Sequence, residues 1–401
     1  MTEQSSSGTA ISSDREKEKT MRGTTRRVVR RAAVCFGVFG LAGFGAVYGV
    51  SGTSAAAPKS AVVAASSGYA AQLKTYEAFP VFKAPGPPIN AKKIMKGKTI
   101  VAIPVESANP FTTDLEAGES GVAKQIGFNF IRWNNQGTVA EWINGMNYAI
   151  SHHAALIALD GGSQPRLLGP EIKKAQSAGI IVIDTHETDA TQGKSPYVNF
   201  TIPAPYTLAG QLMADYAIQD TNSKADALII TSSDIIGAAP FVASIEATFK
   251  KYCPGCKYTV KNVPVASWAT GIGPAVTGAM LADPGLNYVM PIFDPETEFV
   301  TPALLTAHKT ATVHIATYAG TPFVLQDIRQ GTAQMDVGEN LQWVGFAMLD
   351  DEMRLIAHLK PAFPEYLATR VFTKSDIGTS SSASAEYGTS VGKAWLKLWG
   401  L

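Results

Sequence analysis

The sequence is poor in almost every signature that would name a chemistry. Its 401 residues hold three cysteines and six histidines. No H-E-x-x-H occurs, and the adjacent His152-His153 pair falls at the end of an expected helix, where it reads as solvated rather than as half a metal site. No G-x-x-x-x-G-K-[ST] phosphate loop is present, Gly161-Gly162 belongs to no G-x-G-x-x-G, and no G-x-S-x-G elbow presents a nucleophilic serine. No repeat of 20 to 50 residues appears. Charge is scarce too, at 17% of residues with a formal net charge of +1. Eight of the 34 basic residues precede residue 58, leaving a body of 26 basic and 29 acidic residues. A slightly acidic body has no basic face for nucleic acid. Nothing in these patterns requires catalysis, a metal or a cofactor.

What the chain does have begins with an export pattern. Arg26-Arg27-Val28-Val29-Arg30-Arg31 leads into the apolar Ala32 to Val50 and then the small residues Ser54 to Ala57. That is the charged, apolar and small-residue order of a secretory signal. The apolar run is also just long enough to cross a bilayer, so residues 1–57 are expected to be a cleaved signal or an uncleaved N-terminal anchor. Cys35 stands at the front of the run, whereas a lipidated cysteine would follow it. Export sets the reading of Cys253-Pro254-Gly255-Cys256: outside the membrane a disulfide stapling a turn is expected, with no second pair to complete a zinc site.

Residues 58–97 are rich in Ala, Ser, Lys and Pro, and Ala84-Pro85-Gly86-Pro87-Pro88 interrupts any regular element, so a tether or loose leader is expected. From Lys98 a strict rhythm of apolar strand, loop and amphipathic helix begins. Thr99 to Val105 is an apolar run without polar alternation, as in a parallel strand covered on both faces. Strands follow at Phe128 to Trp133, Ala154 to Leu159, Ile180 to Asp184 and Tyr197 to Ile202, with a capping box at Thr138-x-x-Glu141. After Pro203-Ala204-Pro205 the rhythm restarts, with strands near residues 227–231, 257–263, 288–293, 313–318, 334–337 and 366–372 between helices. The fold class expected is α/β: two doubly wound lobes of parallel sheet. Ligands of such sheets bind outside the carboxyl ends of the strands, which places function first in the loop Glu106 to Thr113.

The order of elements and several local motifs resemble the ribose-binding-protein-like, sugar-type solute-binding proteins of ABC importers, over residues 98–374. The motifs are Ser107-x-Asn109-Pro110-Phe111, Val182-Ile183-Asp184, Gly237-Ala238-Ala239, Ile292-Phe293-Asp294 and Tyr318-Ala319-Gly320-Thr321-Pro322. The resemblance implies two lobes joined by a three-segment hinge, with crossings near Phe200 to Pro205, Asp336 to Asn340 and Lys360 to Tyr366. It divides the chain into an N-terminal lobe of 98–202 plus 340–362, a C-terminal lobe of 203–339 plus 363–376, and a tail of 377–401. It further implies a non-enzymatic, exported protein that takes a small sugar-like or aromatic solute into an interlobe cleft. Its partner would be an ABC importer permease, with a sensor kinase or chemoreceptor as the alternative reader. No nucleic-acid partner is implied, and the membrane is met only through the signal or anchor.

Carried over one position at a time, the resemblance implies contacts from Asn109 and Phe111, from Trp268 as a second-lobe aromatic, and from Asp184 at the fourth strand end. Five positions depart from the family. Thr185 and Phe241 stand where arginines are usual, Phe293 replaces an asparagine and Ala319 an aspartate; Glu339 takes the place of a glutamine. Losing those partners argues against ribose itself, because unpaired buried polar groups are costly. Each residue also has a plainer reading: core packing for Phe241, Phe293 and Trp268, helix capping for Asp184, an Asn-Pro turn for Asn109, and hinge surface for Glu339.

Overall fold

The computed structural model describes residues 59–361, 368–378 and 390–401. The expected signal or anchor, and most of the third crossing, lie outside the described residues. The chain runs α1 (Lys59–Glu77), α2 (Ala91–Met95), β1 (Thr99–Pro104), α3 (Pro110–Ile126), β2 (Asn129–Arg132), α4 (Val139–Ser151), β3 (Leu156–Asp160), α5 (Gly169–Ser177), β4 (Ile181–Asp189) and β5 (Phe200–Ala204). It continues through α6 (Tyr206–Asp220), β6 (Asp226–Thr231), α7 (Ala238–Tyr252), β7 (Lys257–Asn262), α8 (Trp268–Ala282), β8 (Tyr288–Pro291), α9 (Thr297–Thr306), β9 (His314–Ala319), α10 (Pro322–Gln330) and β10 (Met335–Glu339). Helix α11 (Leu341–Ile356), β11 (Thr369–Thr373) and α12 (Ser390–Leu398) complete it.

Two sheets form, ordered β2-β1-β3-β4-β5 and β11-β10-β9-β8-β6-β7. Every pairing is parallel except that of β10 with β11. Strands β3, β6 and β8 are buried along their whole length, which explains their mainly apolar sequences, whereas the edge strand β7 is mostly exposed and reads Lys-Tyr-Thr-Val-Lys-Asn. Each lobe is therefore a doubly wound α/β layer. The strands of both lobes turn their carboxyl ends toward one cleft.

The chain crosses between lobes after β5 and again after β10, where α11 returns to pack on α3 of the first lobe. That crossing is close. A Cβ on Gly345 would meet the Leu115 carbonyl oxygen at 2.4 Å, and one on Gly118 would meet the Gln342 carbonyl oxygen at 3.0 Å. Local signals are met as well: Asn109 caps α3 through the Phe111 N–H at 3.0 Å with Pro110 in the first turn, and Thr138 and Glu141 form both halves of the capping box.

The leader differs from the expected tether. Helix α1 lies on α6 and β11, with Leu73 1% exposed and Tyr69 edge-on to Tyr252. Helix α2 packs on α3 and α11, and the Ile89 and Ala91 N–H groups donate to the carbonyls of Leu398 and Trp399 at 2.9 and 3.1 Å. The Ala-rich run has high helix propensity, and each segment gains stability by burying a few apolar side chains on a finished lobe. Proline marked the break at residues 84–88, but composition does not reveal docking.

Candidate functional site

The site is assembled from loops at the strand ends. From the first lobe come Asn109 and Phe111 after β1, Gly161 after β3 and His186 on β4; from the second come Tyr206, Ile235, Trp268, Phe293, Pro295, Tyr318 and Ala319. They enclose an inner cavity of about 40 Å³. That is room for a water or two rather than for a sugar ring. Outside it, and sharing Asn109, Ile235, Trp268 and Pro295, opens a cleft of about 520 Å³ also walled by Glu106, Gln136, Trp142, Gly162, Gln164, Asp234 and Glu298. The lobes are drawn together, and aromatic rings fill the centre.

Those rings are fixed by contacts behind them. The Trp268 indole N–H donates to Ser232 Oγ at 2.7 Å, and that oxygen lies 3.0 Å from Glu296 Oε1. Burial pushes the Glu296 carboxyl up to about 8, against the pull of the Ser232 hydroxyl. Phe111 stands edge-on to the His186 ring, centroids 4.9 Å apart. Tyr206 packs edge-on to Phe293 and to Tyr318 at 5.7 and 5.6 Å. Such edge-to-face pairs add to the apolar burial of each ring.

A buried polar network joins the two lobes at the centre. His186 Nε2 meets Glu339 Oε2 at 3.0 Å with both side chains buried, and the Tyr318 hydroxyl donates to Glu339 Oε1 at 2.9 Å. Burial, followed by the Glu339 charge, pushes the Tyr318 phenol well above its ordinary value, so it remains a donor. His186 lies at φ +57°, a left-handed turn that favours glycine, and the Tyr206 hydroxyl holds its carbonyl oxygen at 2.6 Å. The lobes are further tied by the Gly237 N–H to the Glu187 carbonyl at 3.0 Å and by Gln192 Nε2 to the Ile236 carbonyl at 3.3 Å.

Of the residues singled out in the sequence, Asn109, Phe111, Trp268, Phe293 and Ala319 line the inner cavity, and Asn109 is at the same time the cap of α3. The other four do not line it. Asp184 is buried toward β5, where desolvation raises its carboxyl to about 6 against the hydroxyls of Thr201 and Ser195. Thr185 faces the first-lobe core, its hydroxyl 3.3 Å from Asp160 Oδ1. Phe241 is fully buried, stacked behind Tyr206 at 5.6 Å, the core reading of that residue. Glu339 is not hinge surface but the buried partner of His186 and Tyr318. A register shift between Thr185 and Asp189 breaks the alternation of β4 and presents His186 where a regular strand would present another side chain. The residues that sequence reasoning did not place, His186, Tyr206, Ile235 and Tyr318, carried weak signals: His186 stood two residues past Val182-Ile183-Asp184, and Tyr318 opened the motif that runs to Pro322. Among the described residues no group of three or more His, Cys, Asp or Glu is placed to hold a metal ion. Cys253 and Cys256 are joined in a disulfide at the turn between α7 and β7, away from the cleft.

Two facing doubly wound sheets with an aromatic-lined cleft at their strand ends define a two-lobed binding protein of the type I periplasmic class. The chain belongs to the periplasmic binding protein domain family, whose pattern it matches over residues 100–359. No curated protein sequence matches it. Among solved structures it is similar to an ABC transporter periplasmic solute-binding protein from Actinobacillus succinogenes with bound D-allose, at 18% identity and TM-score 0.61 over 70% of this chain and 98% of that one. It is similar to a 5-methylthioribose transporter solute-binding protein from Thermotoga lettingae, at 19% identity and TM-score 0.61 over 76% and 94%. A carbohydrate transporter solute-binding protein from Agrobacterium radiobacter in complex with D-arabinose aligns at 16% identity and TM-score 0.63 over 73% and 100%. At these identities the likeness is one of fold.

Proposed function

We propose that the protein is an exported solute-binding protein that captures a small sugar-like or aromatic solute between its lobes and presents the closed form to an ABC importer, without catalysing a reaction. The observation that carries this reading is the cleft itself. Its walls come from both lobes at the strand ends, and its centre is made of rings rather than of a nucleophile with its base. Membership of a binding-protein family supports it, as do the sugar ligands of the similar structures. Phe111 and Trp268 come from opposite lobes, so a solute that contacts both stabilises the closed arrangement, which is the signal a membrane partner reads. The test is a thermal-shift screen of sugars, polyols and small aromatics on the full chain, followed by calorimetry of any hit. Trp268→Ala and Phe111→Ala are each expected to weaken binding by about 2 kcal/mol, roughly thirtyfold. Leu281→Ala, on the outer end of α8 and 79% exposed, serves as control. Affinity unchanged in both ring variants would place the site elsewhere.

A further inference from the structure

The cleft is one-sided in charge. Neither the inner cavity nor the outer cleft is lined by lysine or arginine, whereas Glu106, Asp234 and Glu298 line the outer one. A second observation lies beneath its floor. Glu187 is 1% exposed, and neither of its carboxylate oxygens accepts a well-formed hydrogen bond among the described residues, although the Gln164 backbone N–H acts on it. Its Oε2 lies against Gly162: a Cβ on that glycine would sit 3.7 Å from the oxygen and 3.8 Å from Ile235. Gly162 and Ile235 both line the outer cleft, so a carboxylate waits just behind a residue that has no side chain to cover it. On the facing lobe Asp234 accepts the Val265 N–H with Oδ2 at 3.1 Å, while its buried Oδ1 has no partner among the described residues. The nearby cation is Arg166, which is exposed and donates to Gln164 Oε1 at 2.9 Å.

We infer that the cleft selects an organic cation: a protonated amine on a sugar-like or aromatic body, with the ammonium at the Glu187–Asp234 end and the body against Trp268 and Phe111. This rests on the reading of the cleft as the solute site and narrows it to a class. The physical ground is that two carboxyl groups from opposite lobes, Glu187 buried and Asp234 with one buried unpaired oxygen, are stabilised in their charged forms when a cation enters between them. The Trp268 ring, which lines the same cleft as Asp234, attracts the same charge. Burial and the neighbouring Asp184 and Asp234 push the Glu187 carboxyl up to about 8, with the Gln164 N–H and Arg166 pulling the other way, and a bound ammonium would reverse that shift. An anionic solute would meet the negative charges of Glu106, Asp234 and Glu298.

The test uses body-matched probes on the full chain: D-glucosamine against D-glucose and N-acetyl-D-glucosamine, and benzylamine against benzyl alcohol, by thermal shift and calorimetry. Amine members are expected to bind at least tenfold tighter than their neutral counterparts. Glu187→Gln and Asp234→Asn are each expected to erase about tenfold of amine affinity, so that the amine-to-neutral affinity ratio falls toward one. Gln matches the shape of the protonated carboxyl, and Asn keeps the acceptor for Val265, so both should fold; circular dichroism checks it. If neutral members bind as well as the amines, or the amines bind equally well in both variants, the inference is overturned while Trp268→Ala still tests the cleft. Binding insensitive to Trp268→Ala removes the cleft reading and this inference together. Absence of amine binding across the panel also overturns it.

Discussion

A buried acidic cluster inside the first lobe makes stability depend on pH in an unusual direction. Glu116 and Glu119 of α3, Asp160 at the end of β3 and Glu352 of α11 are all buried. Their countercharge is Arg132, paired with Glu116. Burial, followed by the charges of Glu352, Asp160 and Glu116, pushes the Glu119 carboxyl well above 4.5; burial pushes Glu352 up from 4.5 to about 8, with Glu119 opposing as a hydrogen-bond partner and Asp351 adding. A carboxyl whose folded value is raised contributes stability that is whole below about 4.5 and is lost as pH rises toward about 8. For Glu352 alone, moving from pH 5 to pH 7.5 costs on the order of 3 kcal/mol at about 1.4 kcal/mol per unit. At about 2 °C per kcal/mol for a chain of this size, the melting temperature should fall by about 6 °C or more across that range. Glu352→Gln places an uncharged amide beside Glu119 and should remove about half of the fall, the two forms converging near pH 5. The assay is thermal unfolding by circular dichroism in matched ionic strength from pH 5 to 8. A wild-type melting temperature that is flat or rises toward pH 7.5, or a variant with the whole wild-type slope, would refute the reasoning.

Three further outcomes are expected. Gly345→Ala should lower the urea midpoint, because a Cβ 2.4 Å from the Leu115 carbonyl forces α3 and α11 apart at roughly 1–3 kcal/mol, against a helix-propensity gain of about 1 kcal/mol; an unchanged midpoint would contradict that packing. Replacing Cys253 and Cys256 by Ser should cost roughly 2 kcal/mol for so short a closed loop and leave solute affinity intact, and two free thiols in unreduced, denatured wild-type protein would show that the pair is not oxidised. If residues 1–57 are a cleaved signal, N-terminal sequencing of the exported protein should begin near Ala56 or Ala57, and an intact Met1 or Thr2 would identify an anchor instead.

The architecture was legible in the sequence because it rests on local signals. Unbroken apolar runs of strand length mark strands covered on both faces, as in β3 and β6, and capping residues such as Asn109 and Thr138 mark where helices begin. The restart after Pro203-Ala204-Pro205 marked the second lobe. Phe111 and Trp268 were singled out through the family resemblance, and both line the inner cavity. What only the tertiary structure decided depends on partners distant in the chain. His186 reaches Glu339 across 153 residues, and its inward aim follows from a bulge in β4 that leaves no local trace. Asp184, two positions before His186 and still in regular register with Thr201 of β5, is buried beside that strand instead of lining the cavity. Phe241 and Phe293 look alike in sequence, yet one packs behind Tyr206 and the other reaches the cavity. Helices α1 and α2 show the same division: propensity makes them helical, but only finished lobes offer the surfaces on which Leu73 and Met95 are buried. Local sequence sets which segments form strands and helices, because those choices depend on neighbours a few residues away. Which side chains share a cleft is set by register and by long-range packing, which no short stretch of chain contains.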